Sequence, residues 1–363
     1  MRQIYIAMMD AIIFVQETAS GWQLQELSPD GQPQCLLTDT TNANGIYCGT
    51  YDNGLWYSAD GGQTWQQRGT EILYPTITAL ATSHIHDSEQ TPLLWAGTRP
   101  GAIFCSEDNG LTWKERWHIS PGANMPETPN AAAQINQHSI RWIEPTRENK
   151  DHLFMIIEQG GIRKSTDGGY SWERVSAVEE LDGHVVKIHP HTPQHIYHTT
   201  GGSNPRFLPQ FRLRIPPFHP RVIMRQGGYY ESTDGGDNWQ EQTAGLEQHH
   251  YLWSIAIDPA DPNTMIAAAA IGFIQAHDPT FATSYLLRRT NNGPWQRSET
   301  GLPQARGSLI ATVETTEAEP GTFYLASNHG LFRSQDAGLT WQHLTPQWPE
   351  RYRKQHVQQM VIR

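Results

Sequence analysis

The octapeptide STDGGYSW occupies residues 165–172, and four similar octapeptides recur along the chain. They are SADGGQTW at 58–65, SEDNGLTW at 106–113, STDGGDNW at 232–239 and SQDAGLTW at 334–341. A shorter copy, RTNNGPW, lies at 289–295, and consecutive copies are 45 to 67 residues apart. A repeat of this period predicts an architecture of similar supersecondary units arranged one after another.

Each residue type in the octapeptide has a physical role. The Asp carboxylate accepts backbone N–H groups in a tight turn, and the Gly two positions later adopts a positive φ without steric cost. The Trp five positions after the Asp packs the turn against its neighbours. Since an apolar strand precedes each copy and a polar strand follows it, each copy predicts the turn of a β-hairpin. The structural residues of the five complete copies are Asp60, Asp108, Asp167, Asp234 and Asp336, with Trp65, Trp113, Trp172, Trp239 and Trp341.

The octapeptide resembles the Asp-box, or BNR, repeat of sialidases, some other glycosidases, sortilin-type receptors and photosystem II assembly factors. The resemblance covers nearly the whole chain. It implies a β-propeller in which the boxes lie on the outer rim, far from any catalytic centre. It therefore implies a fold and not an activity.

The strand patterns around the boxes predict six four-stranded blades, over roughly residues 33–70, 71–118, 138–176, 183–243, 249–299 and 306–345. A closing blade combines residues 1–28 with an innermost strand from 355–363. Joining both termini in one sheet closes the ring and removes two open sheet edges. The sequence thus predicts an all-β fold, a seven-bladed propeller of four-stranded antiparallel blades, with residues 1–363 in a single domain.

The overall composition excludes several classes of protein. There are 37 acidic residues against 26 Lys and Arg, a net charge of −11, whereas a general nucleic-acid binder needs a basic face. No apolar run reaches the roughly 18 residues of a membrane-spanning helix, and Asp10 interrupts the apolar N-terminus, which we interpret as two strands. Three cysteines, Cys35, Cys48 and Cys105, do not make a disulfide framework. We expect a cytoplasmic protein with no nucleic-acid or membrane partner.

The order of strands divides the loops between two faces. In a four-stranded meander the first and third turns share a face, which we call the box face because the boxes are third turns. Second turns and blade-to-blade links lie on the opposite face, together with three long insertions at 114–137, 201–228 and 271–283. Long loops gathered on one rim commonly carry function.

The blade-four insertion contains a basic stretch at 203–226, SNPRFLPQFRLRIPPFHPRVIMRQ, which has five arginines and no acid. Arg binds anions through a bidentate fork, so this stretch predicts an anion- or partner-binding lip at the rim. Alternatively it is a Pro-stiffened loop whose arginines pair with nearby acids.

The Arg-Ile-Pro at 214–216 of this stretch is similar to a sialidase motif, but it follows the third box instead of preceding the first. Only Arg141 and Arg306 offer further arginines near inner strands, so we do not expect sialidase activity.

The leading hypothesis is a non-catalytic scaffold that binds a small anionic or carbohydrate ligand, or a protein partner, on the opposite face. Its candidate contacts are Arg99, Glu158, His184, Arg212, Arg214, His250, Asp278 and His329. The alternative is a glycoside hydrolase, which needs two carboxylates; the candidates are Glu158, Asp52, Asp10 and Asp278. Trp117 and Phe273 could then stack on a sugar. A partner-docking assembly factor is a third option.

The chain has 17 histidines, several of them at or just before innermost strands. None of the Cys and His spacings matches a zinc signature. We therefore expect no metal and no cofactor.

Overall fold

A computed structural model describes residues 2–83, 92–120, 138–175, 182–202 and 226–363. The chain begins with three strands of the closing blade, β1 (Gln3–Ala7), β2 (Ile12–Thr18) and β3 (Gly21–Leu27). Blade one holds β4 (Pro33–Thr38), β5 (Ile46–Thr50), β6 (Leu55–Ser58) and β7 (Gln66–Arg68). Blade two holds β8 (Thr76–Thr82), β9 (Leu94–Arg99), β10 (Ala102–Ser106) and β11 (Lys114–His118). Blade three holds β12 (Ile140–Pro145), β13 (Leu153–Ile157), β14 (Gly161–Ser165) and β15 (Glu173–Arg174).

Blade four holds β16 (Gly183–Ile188), β17 (Ile196–Gly202), β18 (Gln226–Ser232) and β19 (Gln240–Glu241). Blade five holds β20 (Tyr251–Asp258), β21 (Asp261–Ala270), β22 (Ser284–Arg289) and β23 (Gln296–Arg297), with a short helix α1 (Phe273–His277) in its second turn. Blade six holds β24 (Thr312–Glu314), β25 (Phe323–Ser327), β26 (Gly330–Ser334) and β27 (Gln342–His343). A 3-10 helix at Glu350–Lys354 leads to β28 (Gln359–Ile362), which returns to the closing blade.

The closing blade has the order β28-β1-β2-β3, and the other six sheets each hold four sequential strands. Val361 of β28 pairs with Tyr5 of β1 in antiparallel register. Beyond this strand, the Arg363 guanidinium donates to backbone carbonyls in the first turn of blade one, those of Asp39, Asn42, Ala43 and Gly45. The predicted seven-bladed ring, closed by strands from both termini, is confirmed.

The core lies between adjacent blades, because the middle strands bury side chains on both faces. All five residues of β5, β13 and β25 are buried, whereas the outermost strands β15, β19 and β23 are exposed. Such strands form the dry layers that hold one blade against the next. Cys35 and Cys48 lie on neighbouring strands β4 and β5, and both are buried free thiols, as is Cys105.

The five complete boxes share one hydrogen-bond pattern. In blade one, Ser58 donates to the Asp60 carboxylate at 2.7 Å and accepts the Gly62 N–H at 2.7 Å. The same carboxylate accepts the Thr64 N–H at 2.9 Å and the Thr64 hydroxyl at 2.6 Å. Gly62 has φ +92°, a conformation that glycine adopts without strain. The Asp, Gly and following polar residue therefore define the turn, as the sequence predicted.

Each box is also anchored to other parts of the ring. The Gly61 N–H donates to the Asn44 carbonyl in the first turn of its own blade, at 2.8 Å. In the next box, the Asn109 carbonyl accepts the hydroxyl of Tyr47, which belongs to blade one, at 2.8 Å. These contacts place first turns and boxes on one face and link successive blades at the rim.

Candidate functional site

All seven innermost strands line a central channel with an empty volume of about 840 Å³. Each of these strands runs from the opposite face to the box face, where β4, β8, β12, β16, β20 and β24 lead into first turns. Residues early in an innermost strand therefore surround the opposite mouth of the channel, and residues late in the strand surround the box-face mouth. This rule places Arg141 and His184 near the opposite mouth and Lys187 and Glu314 near the box face.

Arg141 is the central feature of the opposite mouth. Its guanidinium carbon lies 4.0 Å from the centroid of the Trp253 ring, so the side chain of blade three stacks on an aromatic ring of blade five. Among the described residues, the guanidinium makes no hydrogen bond and no ion pair. A guanidinium carries five N–H donors in a rigid fork. Arg141 therefore presents in the channel an oriented cation whose N–H donors no described residue accepts.

Three histidine rings lie around the Trp253 ring. The centroids of His277 and His184 lie 4.5 and 4.9 Å from it, and that of His356 lies at 5.9 Å. Burial lowers the pKa of His277 to about 2 and that of His356 to about 4, and the Arg141 charge adds to both shifts. These two rings are uncharged at neutral pH, so they do not repel a cation in the mouth and do not neutralise an anion there.

Two carboxylates at the same mouth lie near enough to Tyr251 to change its pKa, as Arg141 also does. Glu158, at the start of the second turn of blade three, accepts the Ser139 hydroxyl at 2.5 Å. Asp182, just before β16, has a carboxylate oxygen 3.6 Å from Nε2 of the buried His184. Burial raises the pKa of Tyr251, and the charges of Asp182 and Glu158 raise it further, whereas Arg141 lowers it. Both carboxylates and the guanidinium thus influence the pKa of one hydroxyl group, that of Tyr251.

Tyr251 links this polar group to α1. Its hydroxyl lies 2.9 Å from Nε2 of His277, the last residue of the helix. Because the pKa of Tyr251 is raised and that of His277 is lowered, the tyrosine hydroxyl donates and the imidazole accepts. The neighbouring Phe273 is 54% exposed, and its ring centroid lies 4.9 Å from that of His277. An aromatic ring therefore borders the mouth with one side open to solvent.

The other end of the channel is bridged by charged pairs. Lys187 of blade four contacts both carboxylate oxygens of Glu314 in blade six, at 3.0 and 3.1 Å. Glu144 of blade three accepts the Ile188 N–H at 3.2 Å beside them. Burial raises the pKa of both glutamates, and the ammonium group counteracts this. The same carboxylates raise the pKa of Lys187 against its own burial.

A second pair crosses the box-face mouth itself. The Arg147 guanidinium, in the first turn of blade three, binds both carboxylate oxygens of Glu317, in the first turn of blade six. Together with the Lys187–Glu314 pair, it joins blades on distant sides of the ring across the opening. The channel is therefore obstructed at the box face, whereas the Arg141 donors at the opposite mouth have no partner among the described residues.

The structure brings Glu158 and His184 of the predicted contacts into this group. The other described candidates lie in second turns or links of the same face and take part in local contacts. His329 accepts from Arg353 at 2.9 Å, His250 contacts the Glu247 carbonyl at 2.6 Å and Asp278 accepts the Thr280 N–H at 2.8 Å. Arg99 is half-buried at the end of β9, while Asp10 and Asp52 are exposed on second turns. Arg212 and Arg214 lie outside the described residues.

Sequence reasoning did not single out four members of the group, Asp182, Tyr251, Trp253 and His277, and considered Arg141 only as a possible sialidase arginine. One signal was available in the sequence. Asp182, Tyr251 and Trp253 all lie at or next to the start of an innermost strand, which the topology places at the opposite mouth. These side chains meet across the channel only because the ring is closed, and no local pattern in the amino-acid sequence indicates that they meet.

The described ranges contain no group of three or more Cys, His, Asp or Glu side chains arranged to hold a metal ion. They also contain no helix with the length and apolar composition that crossing a bilayer requires.

These features define a class of protein by its fold: the chain is a seven-bladed β-propeller with five complete octapeptide turns on its box face. The family model described as BNR/Asp-box repeat matches residues 56–67, which include the first box. No curated protein matches the sequence.

Solved propellers share the fold at low sequence identity. A GH74 enzyme of Niastella koreensis has a TM-score of 0.64 and 14% identity over 93% of this chain and 53% of its own. An ancestral GH74 enzyme has a TM-score of 0.62 and 18% identity over 90% of this chain and 40% of its own. The chain thus spans about half the length of these enzymes. YCF48 bound to D1 peptide has a TM-score of 0.53 and 14% identity over 93% of this chain and 98% of its own.

Proposed function

We propose that this propeller is a binding scaffold that receives an anionic group of its ligand, small molecule or protein, in the opposite mouth of the channel. The observation that carries the proposal is the Arg141 guanidinium, stacked on Trp253 with its donors unused by the described residues. A fixed guanidinium fork binds a carboxylate, phosphate or sulfate in bidentate geometry.

The surroundings favour a ligand that also donates hydrogen bonds. Glu158 and Asp182 offer carboxylate oxygens at the same mouth as Arg141, and neither has a Lys or Arg ion-pair partner among the residues described. A ligand with an anionic group and nearby hydroxyl or amide donors would satisfy both kinds of protein group. Sugars, hydroxy acids and peptides all have this chemistry.

The similar structures are compatible with a peptide ligand and with a carbohydrate ligand. One of them is a propeller in complex with a D1 peptide, and others are GH74 enzymes. The shared fold alone does not transfer either activity. It does support the use of a propeller of this type to bind another molecule.

Calorimetric titration of the purified chain tests the proposal, with citrate, glucuronate and an acidic peptide as probes. Binding of at least one probe is expected, and Arg141→Gln should abolish or weaken it. Arg147→Gln is the matched control, because it removes an arginine at the box face. The proposal is overturned if none of the three anions binds, or if both variants bind them as the wild type does.

The second candidate function is glycoside hydrolysis, favoured by the presence of Glu158 and Asp182 on adjacent blades around one tyrosine hydroxyl. Hydrolysis needs an acid and a base or nucleophile at a defined separation. Turnover of any chromogenic glycoside, lost in both Glu158→Gln and Asp182→Asn, would support it. If the chain binds ligands but hydrolyses none of the chromogenic glycosides tested, the result would favour the binding-scaffold function over glycoside hydrolysis.

A further inference from the structure

The outer edge of the closing blade differs from the other outer edges of the ring. Its outermost strand, β3, has seven residues, whereas the outermost strands of blades one and three to six have two or three. Blade two has five, with the sequence KERWH, which is rich in charge. Natural sheets protect their edges with short strands, charged side chains or prolines.

The β3 sequence, GWQLQEL, has none of these protective features apart from one glutamate. It contains no lysine, no arginine and no proline. Every residue from Gly21 to Leu27 pairs with β2 on the inner side. In the described chain, no other strand pairs with the outer side of β3. Alternate residues therefore direct N–H and C=O groups outward, where a further strand can bind.

We infer that two copies of this chain associate by antiparallel pairing of their β3 edges. Such pairing is isologous, because the same segment forms both halves of the interface. It would join two four-stranded closing blades into one eight-stranded sheet, with Leu24 of each copy at the twofold axis. In this register Gln23 faces Gln25 of the other copy, and Trp22 faces Glu26.

The side chains of β3 complement their own copies in this register. Leu24 and Trp22 are half-buried and share one face of the strand, so the two Leu24 side chains would meet. The Arg333 guanidinium lies 5.8 Å from the Trp22 ring, and its Nε has no hydrogen-bond partner within the described residues. Glu26 of the second copy, which also forms an ion pair with Arg351 of its own chain, lies opposite Trp22 and would therefore approach this cation. Opposite charges across paired strands stabilise the pairing.

A second copy is favoured over an unrelated peptide because the strand supplies both partners of each pair. Gln23 and Gln25 are self-complementary because each side-chain amide both donates and accepts hydrogen bonds. Glu26 of one copy faces Arg333, which lies beside Trp22 of the other. An unrelated strand would have to carry both features in the same register.

Sedimentation equilibrium and hydrogen exchange of the full chain test this inference. The wild type is expected to reach twice the 41.0 kDa of the monomer as concentration rises, with amide exchange over residues 21–27 slowing in parallel. Gln23→Lys/Gln25→Lys places lysines opposite each other across the interface and should return the mass to that of the monomer. Both glutamines are exposed, so the melting temperature of the monomer should not change.

Gln66→Lys/Gln67→Lys on β7 is the matched control, since it adds the same charges to another outer edge, and it should remain dimeric. A wild type that stays monomeric throughout the concentration series overturns the inference. A dimer whose 21–27 amides exchange at the same rate at all concentrations also overturns it, because its interface then lies elsewhere. Neither result depends on whether the channel binds an anion.

Discussion

Arg141 and Trp253 lie 112 residues apart in the sequence, yet the guanidinium carbon of one is 4.0 Å from the ring centroid of the other. The contact bridges blades three and five at the opposite mouth of the channel. It holds a cation in a fixed orientation, and no carboxylate among the described residues forms an ion pair with it. A side chain that is rigid before binding loses less entropy when it meets an anion.

Replacement of Trp253 should weaken anion binding less than replacement of Arg141. A charge-assisted hydrogen bond is worth roughly 1.5–3 kcal/mol, so Arg141→Gln is expected to reduce affinity by at least about tenfold. Trp253→Leu removes only the stacking contact, roughly 0.5–1 kcal/mol, which corresponds to a few-fold loss. Titration calorimetry of the two variants measures the difference. Equal losses of affinity in the two variants would contradict the assignment of the guanidinium as the main contact to the anion.

Loss of the Lys187 ammonium should destabilise the fold and change its pH dependence. Lys187→Met leaves Glu144 and Glu314 in the channel without the cation that counteracts their burial. Breaking a buried pair costs about 3 kcal/mol, which is an upper value here because the side chains of Lys187 and Glu314 are still 22% and 17% exposed. A carboxyl whose folded pKa is raised loses stability as pH rises above its unfolded value, so the variant should melt higher at about pH 5 than at about pH 8.

Arg147→Gln is the comparison for that variant, because the Arg147–Glu317 pair is more exposed and lies at the same mouth. Exposed pairs contribute about 0–1 kcal/mol. Thermal melts over a pH series should therefore show only a small loss of melting temperature for Arg147→Gln. That loss should not vary with pH as it does for Lys187→Met. Similar curves for the two variants would contradict a stronger contribution from the less exposed Lys187–Glu314 pair.

The box aspartates should stabilise the fold above their unfolded pKa and stop doing so in acid. The Asn238 N–H and amide hold the pKa of Asp234 at about 2, against about 3.9 for an unfolded aspartate. This contribution is complete above about pH 4 and is lost as pH falls toward 2. Asp234→Asn should thus have a lower urea midpoint than the wild type at about pH 6, and the gap should narrow in acid. A gap that is constant with pH would exclude the charge as the cause.

Closure by the C-terminal strand should make a large contribution to stability. Met360 of β28 is 1% exposed and packs in a cluster with residues of β1 and β2. Met360→Ala is expected to cost about 2–4 kcal/mol in urea unfolding, because it leaves a cavity at the joint. Gln358→Ala, just outside the strand, serves as the control. A Met360→Ala variant as stable as the wild type would show that the ring does not depend on this strand.

The boxes made the fold predictable because their chemistry is local. Ser58, Asp60 and Gly62 must stand at fixed offsets for one carboxylate and one hydroxyl to close the turn, and the same offsets recur around the ring. Once the turns were placed, alternation of strands determined which loops share a face. Closure of the ring by both termini could then be predicted, because the strands in residues 1–28 lacked an innermost partner and residues 355–363 offered one.

The site was only partly predictable because its members are brought together by the closed ring. Glu158 and His184 could be assigned to the opposite face from topology alone. Tyr251 and Trp253 have the ordinary appearance of residues in a buried strand, and His277 lies in an insertion whose short helix has no strong sequence signal. That these side chains meet Arg141 follows from the diameter of the ring and the rotamers of the side chains.

An ordered anion in the crystal provides the most direct test of the central claim, that the opposite mouth receives an anionic group. Crystals of the wild type and of Arg141→Gln would be soaked in selenate, and the anion located by its anomalous signal. We predict a selenate within hydrogen-bond distance of the Arg141 guanidinium in the wild type and none there in the variant. Selenate bound only at the box face or the outer rim, with the opposite mouth empty, would contradict the account.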